Sequence, residues 1–192
     1  MAQVSADLLA HWARWYPDAP PVGFLLSMAY PDRGFRVHTY PDSRRWPRSA
    51  DDYRELVALH NPLASDVLGP PPHALILLDE CARWQTGETA RLVGSSAAEL
   101  PLLAPLPDHL CDPDHDDSQF EVPMCLFGRE IVWQSGSFDH FIRAVADDAA
   151  MGLMFSLSTG HVYAPYDGGA DVFFPTAEAR NTVREMYSHA AI

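Results

Sequence analysis

The stretch Ala74-Leu75-Ile76-Leu77-Leu78 decides the fold, because it is a continuous apolar run of strand length. A strand that faces water on one side alternates apolar with polar residues, whereas a strand covered on both faces is apolar throughout. Three consecutive prolines, 70–72, precede the run and end whatever helix comes before it. We therefore predict a central strand here, covered on both faces.

Upstream of this strand, the sequence predicts two helices and a β-hairpin. Apolar residues at helical spacing indicate a helix over 5–16, and Ser49 is placed to cap a second helix. Between the two helices, the runs 22–30 and 35–40 flank the segment 31–34, which has the sequence Pro-Asp-Arg-Gly. Such a turn between two strand-like runs favours a hairpin.

Downstream, the chain alternates between strand and helix patterns. The clearest amphipathic pattern is a helix that begins at Ser137 and places Phe138, Phe141 and Ile142 on one face. A final helix is expected to begin at Thr176. The apolar runs predict two strands within 120–134 and further strands at 153–157, 161–163 and 171–174.

Together these elements predict an α+β fold with a mixed, mostly antiparallel sheet and helices packed on one face. We expect a single domain over residues 1–192, because no Gly/Ser-rich linker separates the two halves. The sequence also predicts a long acidic, proline-rich loop at about 95–119.

The balance of charge favours a basic protein as the partner. The chain has 26 acidic and 13 basic residues, a net charge of -13, and every basic residue is arginine. A field of this sign repels nucleic-acid phosphates and anionic lipid and attracts cationic proteins. The start of the chain does not resemble a signal peptide, and no apolar run approaches the roughly 18 residues of a membrane span. We therefore expect a cytoplasmic protein that binds neither nucleic acid nor membranes.

Acidic residues concentrate between positions 108 and 121. The spacing of some of them resembles the start of a calcium loop, but an aspartate stands where that loop needs glycine and a proline where it needs glutamate. No zinc-ligand spacing is present either, so we expect no metal and no cofactor. The alternatives are a solvated loop and a partner-binding patch formed by Asp108, Asp112, Asp114, Asp116, Asp117 and Glu121.

A second cluster, near the carboxyl end, provides an alternative site formed by His161, Tyr166, Asp167 and Asp171. Two carboxylates near an imidazole can act as acid and base, which a hydrolase or metal-assisted enzyme requires. The structural interpretation is a tight turn, in which Asp167 and the following glycines connect two strands. The wide spacing of the cysteines supports no zinc ribbon or redox motif, and Cys125 is expected to be a buried, inert thiol.

The carboxy-terminal third resembles a module of uncharacterised bacterial proteins grouped as domains of unknown function. The resemblance rests on residues 138–142, 154–157, the Tyr-Asp-Gly-Gly-Ala-Asp element at 166–171, and the final helix. The helix opening is also similar to the end of the Smi1/Knr4-like immunity superfamily, while the amino-terminal part departs from that group's tryptophan–glycine signature. The resemblance implies an immunity or accessory role beside a toxin.

The net charge, the acidic stretch at 108–121 and the family resemblance lead to one functional hypothesis. It is a non-catalytic acidic binding protein that occludes a basic bacterial toxin. Charge attraction would steer the toxin, and aromatic side chains would anchor it. The alternative is a hydrolase that uses Asp167 and Asp171. The candidate aromatic anchors are Tyr40, Trp46, Trp84 and Phe120.

Overall fold

The computed structural model describes residues 2–96, 98–111, 119–188 and 190. The described residues form six α-helices and seven strands, with short 3-10 turns between them. The helices are α1 (Ala2–Trp15), α2 (Gly23–Ala29), α3 (Ala50–Leu68), α4 (Glu88–Leu92), α5 (Asp139–Ala146) and α6 (Ala177–Met186). The strands are β1 (Gly34–His38), β2 (His73–Glu80), β3 (Leu102–Pro105), β4 (Met124–Ile131), β5 (Met151–Ser156), β6 (Val162–Tyr166) and β7 (Gly169–Phe173).

All seven strands join one sheet in the order β1-β7-β6-β5-β2-β4-β3, and every neighbouring pair is antiparallel. Strand β2 lies inside the sheet, where Leu75 is opposite Met154 of β5 on one side and Arg129 of β4 on the other. Residues 74–78 are at most 3% exposed. The predicted central strand is therefore confirmed.

Helices cover both faces of the sheet. On one face, Leu75 and Leu77 pack in a cluster with Leu56 of α3 and Phe141 of α5. On the other face, the remaining apolar side chains of β2 pack in a second cluster with α1 and α2, through residues that include Leu8, Trp12, Leu25 and Leu26. The α+β fold is confirmed, and the sheet is wholly antiparallel rather than mixed. The expected single covered face is wrong, because an all-apolar central strand needs helices on both sides.

The predicted hairpin at residues 22–40 is wrong in its first half. Residues Gly23–Ala29 are helical, and this lets the adjacent Leu25 and Leu26 both pack in the second cluster. In a strand, neighbouring side chains would point to opposite faces. The second half is strand β1, which pairs with β7 so that Phe35 lies opposite Val172.

Two of the predicted helix starts are confirmed by their caps. The Ser49 hydroxyl accepts a hydrogen bond from the Asp52 backbone N–H at 3.2 Å, and the Thr176 hydroxyl accepts one from Ala179 at 3.3 Å. A third predicted start, Ser137, precedes α5 without capping it, since its hydroxyl donates to the Gln134 carbonyl.

The segment 95–119 holds more structure than a loop. Strand β3 lies in it, paired with β4 at the edge of the sheet, and a 3-10 turn follows at Asp108–Leu110.

Next to this edge, Cys81 and Cys125 form a disulfide, with Cα atoms 5.1 Å apart. The expectation of an inert thiol at Cys125 is wrong, because the β2–β4 pairing brings together cysteines 44 residues apart.

Candidate functional site

One end of the sheet carries two neighbouring cavities. The first, here called the Tyr166 pocket, has a volume of about 400 Å³ and lies where β1 and β6 end and β7 begins. The second, here called the Asp79 cavity, has a volume of about 250 Å³ and lies where β2 ends. Met151, the first residue of β5, lines both and is 40% exposed.

Asp171 and Arg36 form a bidentate ion pair in the Tyr166 pocket. The pairing of β1 with β7 places the two residues directly opposite each other. Arg36 Nε donates to Asp171 Oδ1 at 2.8 Å and Nη2 donates to Oδ2 at 2.9 Å. The same guanidinium lies 4.8 Å from the centre of the Tyr166 ring. Both oxygens of this buried carboxylate are therefore occupied by one arginine.

Asp167 is also ion-paired. Its Oδ2 lies 2.6 Å from Arg45 Nη2, and the residue is 8% exposed. Asp167 and Gly168 form the short connection between β6 and β7, as the structural interpretation of the motif expected. Gly168 accepts a hydrogen bond from the Thr39 backbone N–H at 3.0 Å, which fastens this connection to the end of β1.

Tyr166 gives the pocket its aromatic wall. Its hydroxyl lies 3.3 Å from His38 Nδ1, and burial raises the pKa of the phenol above its ordinary value. The phenol therefore stays protonated at neutral pH and is available as a hydrogen-bonding group rather than a base.

His161 does not join the other three residues of this predicted cluster. Its Nδ1 donates to the Val67 carbonyl at 3.0 Å, and its ring lies 4.9 Å from that of Phe174. Burial lowers the pKa of the imidazole. The sequence motif thus brings together one phenol and two carboxylates, and each carboxylate is held by an arginine.

The predicted acidic patch is described in part. Asp108 and Glu121 are exposed and line a common depression beside Cys111, whereas Asp112, Asp114, Asp116 and Asp117 lie outside the described residues. Glu121 also lines the Asp79 cavity. We call the carboxylates around these two depressions the acidic edge: Asp79, Glu80, Asp108, Glu121 and Asp148.

Several of these groups could not be found from the sequence. Arg36 and His38 belong to the site only because β1 pairs with β7, and Asp79 and Asp148 reach one cavity from the ends of β2 and α5. One signal was present: Arg36 and His38 alternate with the apolar residues of β1 and therefore share a face.

The predicted aromatic anchors differ in where they lie. Tyr40 is 2% and Trp84 8% exposed, and Trp84 stacks on Phe127 at 3.9 Å, so both belong to the interior. Trp46 is 51% exposed. Phe120 is partly buried, and the centre of its ring lies 5.9 Å from that of Phe24. Phe24 lines the Tyr166 pocket and Phe120 lines the Asp79 cavity, so this pair stands between the two.

The comparisons with known proteins show the family. A family model described as a domain of unknown function, DUF3885, matches residues 22–190, so the chain belongs to this family. No curated protein and no solved structure matches the chain. Among the described residues, no helix is long and apolar enough to cross a membrane.

Proposed function

We propose that this DUF3885 protein is a non-catalytic binding protein whose acidic edge captures a basic protein, and that it serves as an immunity protein which occludes a toxin. The observation that carries the proposal is the acidic edge itself. Four of its carboxylates, those of Glu80, Asp108, Glu121 and Asp148, are exposed around two adjoining depressions. They belong to a chain of net charge -13.

One arginine lies on the acidic edge itself: Arg83 lines the Asp79 cavity, with its Nε 3.9 Å from Asp79 Oδ1. The five carboxylates of the edge outnumber this single cation. Arg36, Arg44 and Arg45 are held by aspartates of their own neighbourhood, with Arg44 Nη1 2.7 Å from Asp52 Oδ2. A surface of one sign raises the rate at which a partner of the opposite sign arrives. Affinity would come from apolar contacts beside the charges, for which the exposed Met151 and the partly buried Phe120 are placed.

A hydrolase at Asp167 and Asp171 has weaker support. A general base needs a carboxylate that can accept the proton of a bound nucleophile. Asp171 already accepts two hydrogen bonds from Arg36, Asp167 is paired with Arg45, and His161 lies away from both. These contacts favour a structural role in joining β1, β6 and β7.

Exchange of Asp171 for Asn separates the two roles. Asn cannot match both guanidinium donors, so we expect the free energy of unfolding to fall by about 1–2 kcal/mol, a value reduced because Arg36 is half exposed. Urea unfolding measures the change, and Glu178→Gln on exposed α6 is the control. Unchanged stability together with loss of an enzymatic activity would favour the hydrolase instead.

Affinity purification of the tagged protein from its own host tests the proposal. We expect a near-stoichiometric basic protein, identified by mass spectrometry, to co-elute with the wild-type protein. A variant with Glu80→Gln, Glu121→Gln and Asp148→Asn should recover much less of it. The matched control carries Glu55→Gln, Glu178→Gln and Glu185→Gln, which remove the same charge from exposed positions elsewhere. Equal recovery by both variants, or recovery of no basic protein, would contradict the proposal.

A further inference from the structure

We propose that the Asp79 cavity receives one lysine or arginine side chain of the basic partner, with Asp79 as its counter-ion. The inference rests on the proposed function and specifies how the partner is recognised. It is carried by two buried polar side chains that line the same cavity without full hydrogen bonding, Asp79 and Thr89.

Asp79 is a buried carboxylate whose charge is only partly compensated. The residue is 5% exposed, and its Oδ1 accepts a hydrogen bond from the Glu80 backbone N–H at 2.9 Å. Within the described residues, Oδ2 has no hydrogen-bond partner. Arg83 Nε stands 3.9 Å from Oδ1, which is too far for a hydrogen bond. Arg83 therefore supplies charge without a hydrogen bond, and a buried carboxylate oxygen that lacks a donor is unfavourable until a donor reaches it.

Thr89 supplies a second unsatisfied group on the same cavity. It is 2% exposed, and its hydroxyl oxygen likewise lacks a partner in the part of the chain that the structure describes. Buried polar atoms are hydrogen-bonded in roughly nine cases out of ten, so two exceptions on one cavity favour a site whose oxygens can accept from the donors of a bound group. An ammonium or guanidinium group has the N–H donors for both oxygens and the charge for the carboxylate.

The cavity suits a single side chain. Its volume of about 250 Å³ is below the roughly 300–1,000 Å³ of pockets for whole small molecules. The described residues contain no group of three or more ligands placed to hold a metal ion, which favours an organic cation. Apolar side chains beside the carboxylates can pack against the methylene stem of a lysine or arginine. They are Leu78, Phe120, Val122, Met124 and Met151.

A titration with model side chains tests the inference without the partner. The probes are acetyl-arginine amide and acetyl-lysine amide, with acetyl-norleucine amide as the uncharged comparison. Amide resonances of the ¹⁵N-labelled full chain are followed by NMR. We expect saturable shifts at residues 79, 80 and 89 with at least one cationic probe and not with norleucine. Absence of saturable shifts with both cations, or equal shifts with norleucine, would overturn the inference.

Two variants locate the interaction. Asp79→Asn keeps the shape and removes the charge, so we expect at least a tenfold loss of probe affinity with an unchanged or higher melting temperature. Thr89→Val should weaken binding several-fold. Glu185→Gln, an equal loss of charge on exposed α6, should leave binding as in the wild type. Wild-type affinity in a folded Asp79→Asn variant would overturn the role of Asp79.

The test of the Asp79 cavity and the test of the proposed function can give different results. A basic partner that co-elutes with the wild-type protein and binds Asp79→Asn equally well would overturn the inference and leave the proposed function standing. Saturable binding of a cationic probe that depends on Asp79, with no basic partner recovered from the host, would support the cavity's chemistry and contradict the proposed function.

Discussion

At the scale of single residues, two buried histidines use both ring nitrogens in hydrogen bonds within the interior. His60 is 1% exposed, and its two ring nitrogens lie 2.6 Å from the Tyr163 hydroxyl and 2.8 Å from the Thr39 hydroxyl. His73 is fully buried: its Nε2 donates to the Gly69 carbonyl, and its Nδ1 accepts from the Trp133 backbone N–H. Both imidazoles therefore tie strands to neighbouring segments.

His60 makes stability depend on pH. Burial lowers the pKa of His60 from 6.5 to about 3. Below about pH 6.5 this imidazole is therefore protonated in the unfolded chain, whereas in the folded chain it stays neutral until near pH 3. The stability associated with the neutral ring is complete above about pH 6.5 and falls as the pH drops. Lowering the pH to about 5 should reduce the free energy of unfolding by about 2 kcal/mol through this residue.

Melting temperatures between pH 7.5 and 5 check this expectation. The variant His60→Gln should be less stable at neutral pH but should lose less stability on acidification than the wild type. A variant of the exposed His140, His140→Gln, should keep the wild-type slope. Parallel pH profiles for the wild type and His60→Gln would contradict the assignment.

At the scale of elements, the sequence allows strands and helices to be predicted more readily than their partners. The all-apolar run of β2 and the caps at Ser49 and Thr176 are local signals, and all three are confirmed. The pairing of β1 with β7 joins residues about 135 positions apart, as in Arg36 and Asp171, and no local pattern encodes it. The disulfide and both cavities follow from such pairings, so the sequence could not reveal them.

The disulfide also bears on where the protein resides. Bonds such as Cys81–Cys125 form and persist in oxidising compartments and are rare in the cytosol. The cytoplasmic location expected from the sequence stays a prediction.

The contact between β1 and β7 offers a test at this scale. A Cβ added at Gly169 would overlap the backbone carbonyl oxygen of Val37 in the neighbouring strand. We therefore expect Gly169→Ala to lower the free energy of unfolding by more than about 2 kcal/mol, since backbone must move to relieve the clash. Gly136→Ala is the comparison, because Gly136 has a φ of +84° and open space around it.

Alanine at Gly136 would strain the backbone without a clash, so Gly136→Ala should lower the free energy of unfolding by about 1 kcal/mol. The two variants thus distinguish the cost of a steric clash from the cost of an unfavourable backbone conformation. Urea unfolding of both proteins measures the difference. A Gly169→Ala variant as stable as the wild type would contradict the close β1–β7 approach.

At the scale of the whole molecule, charge and shape act on the same end of the sheet. The Tyr166 pocket and the Asp79 cavity share Met151, and the acidic edge continues from the Asp79 cavity to the depression beside Cys111. A basic partner would be steered there by the long-range field and oriented by one cation entering the Asp79 cavity. Exposed charges of this kind change association rates more than dissociation rates.

The most direct measurement of the central claim is the association rate constant of the purified partner at several salt concentrations. We expect the wild-type rate to fall steeply as salt rises, because screening shortens the reach of the acidic edge. The Glu80→Gln, Glu121→Gln, Asp148→Asn variant should associate several-fold more slowly at low salt, and the matched Glu55→Gln, Glu178→Gln, Glu185→Gln control should retain most of the wild-type rate. Rates that do not depend on salt, or that fall equally in both variants, would contradict recognition through the acidic edge.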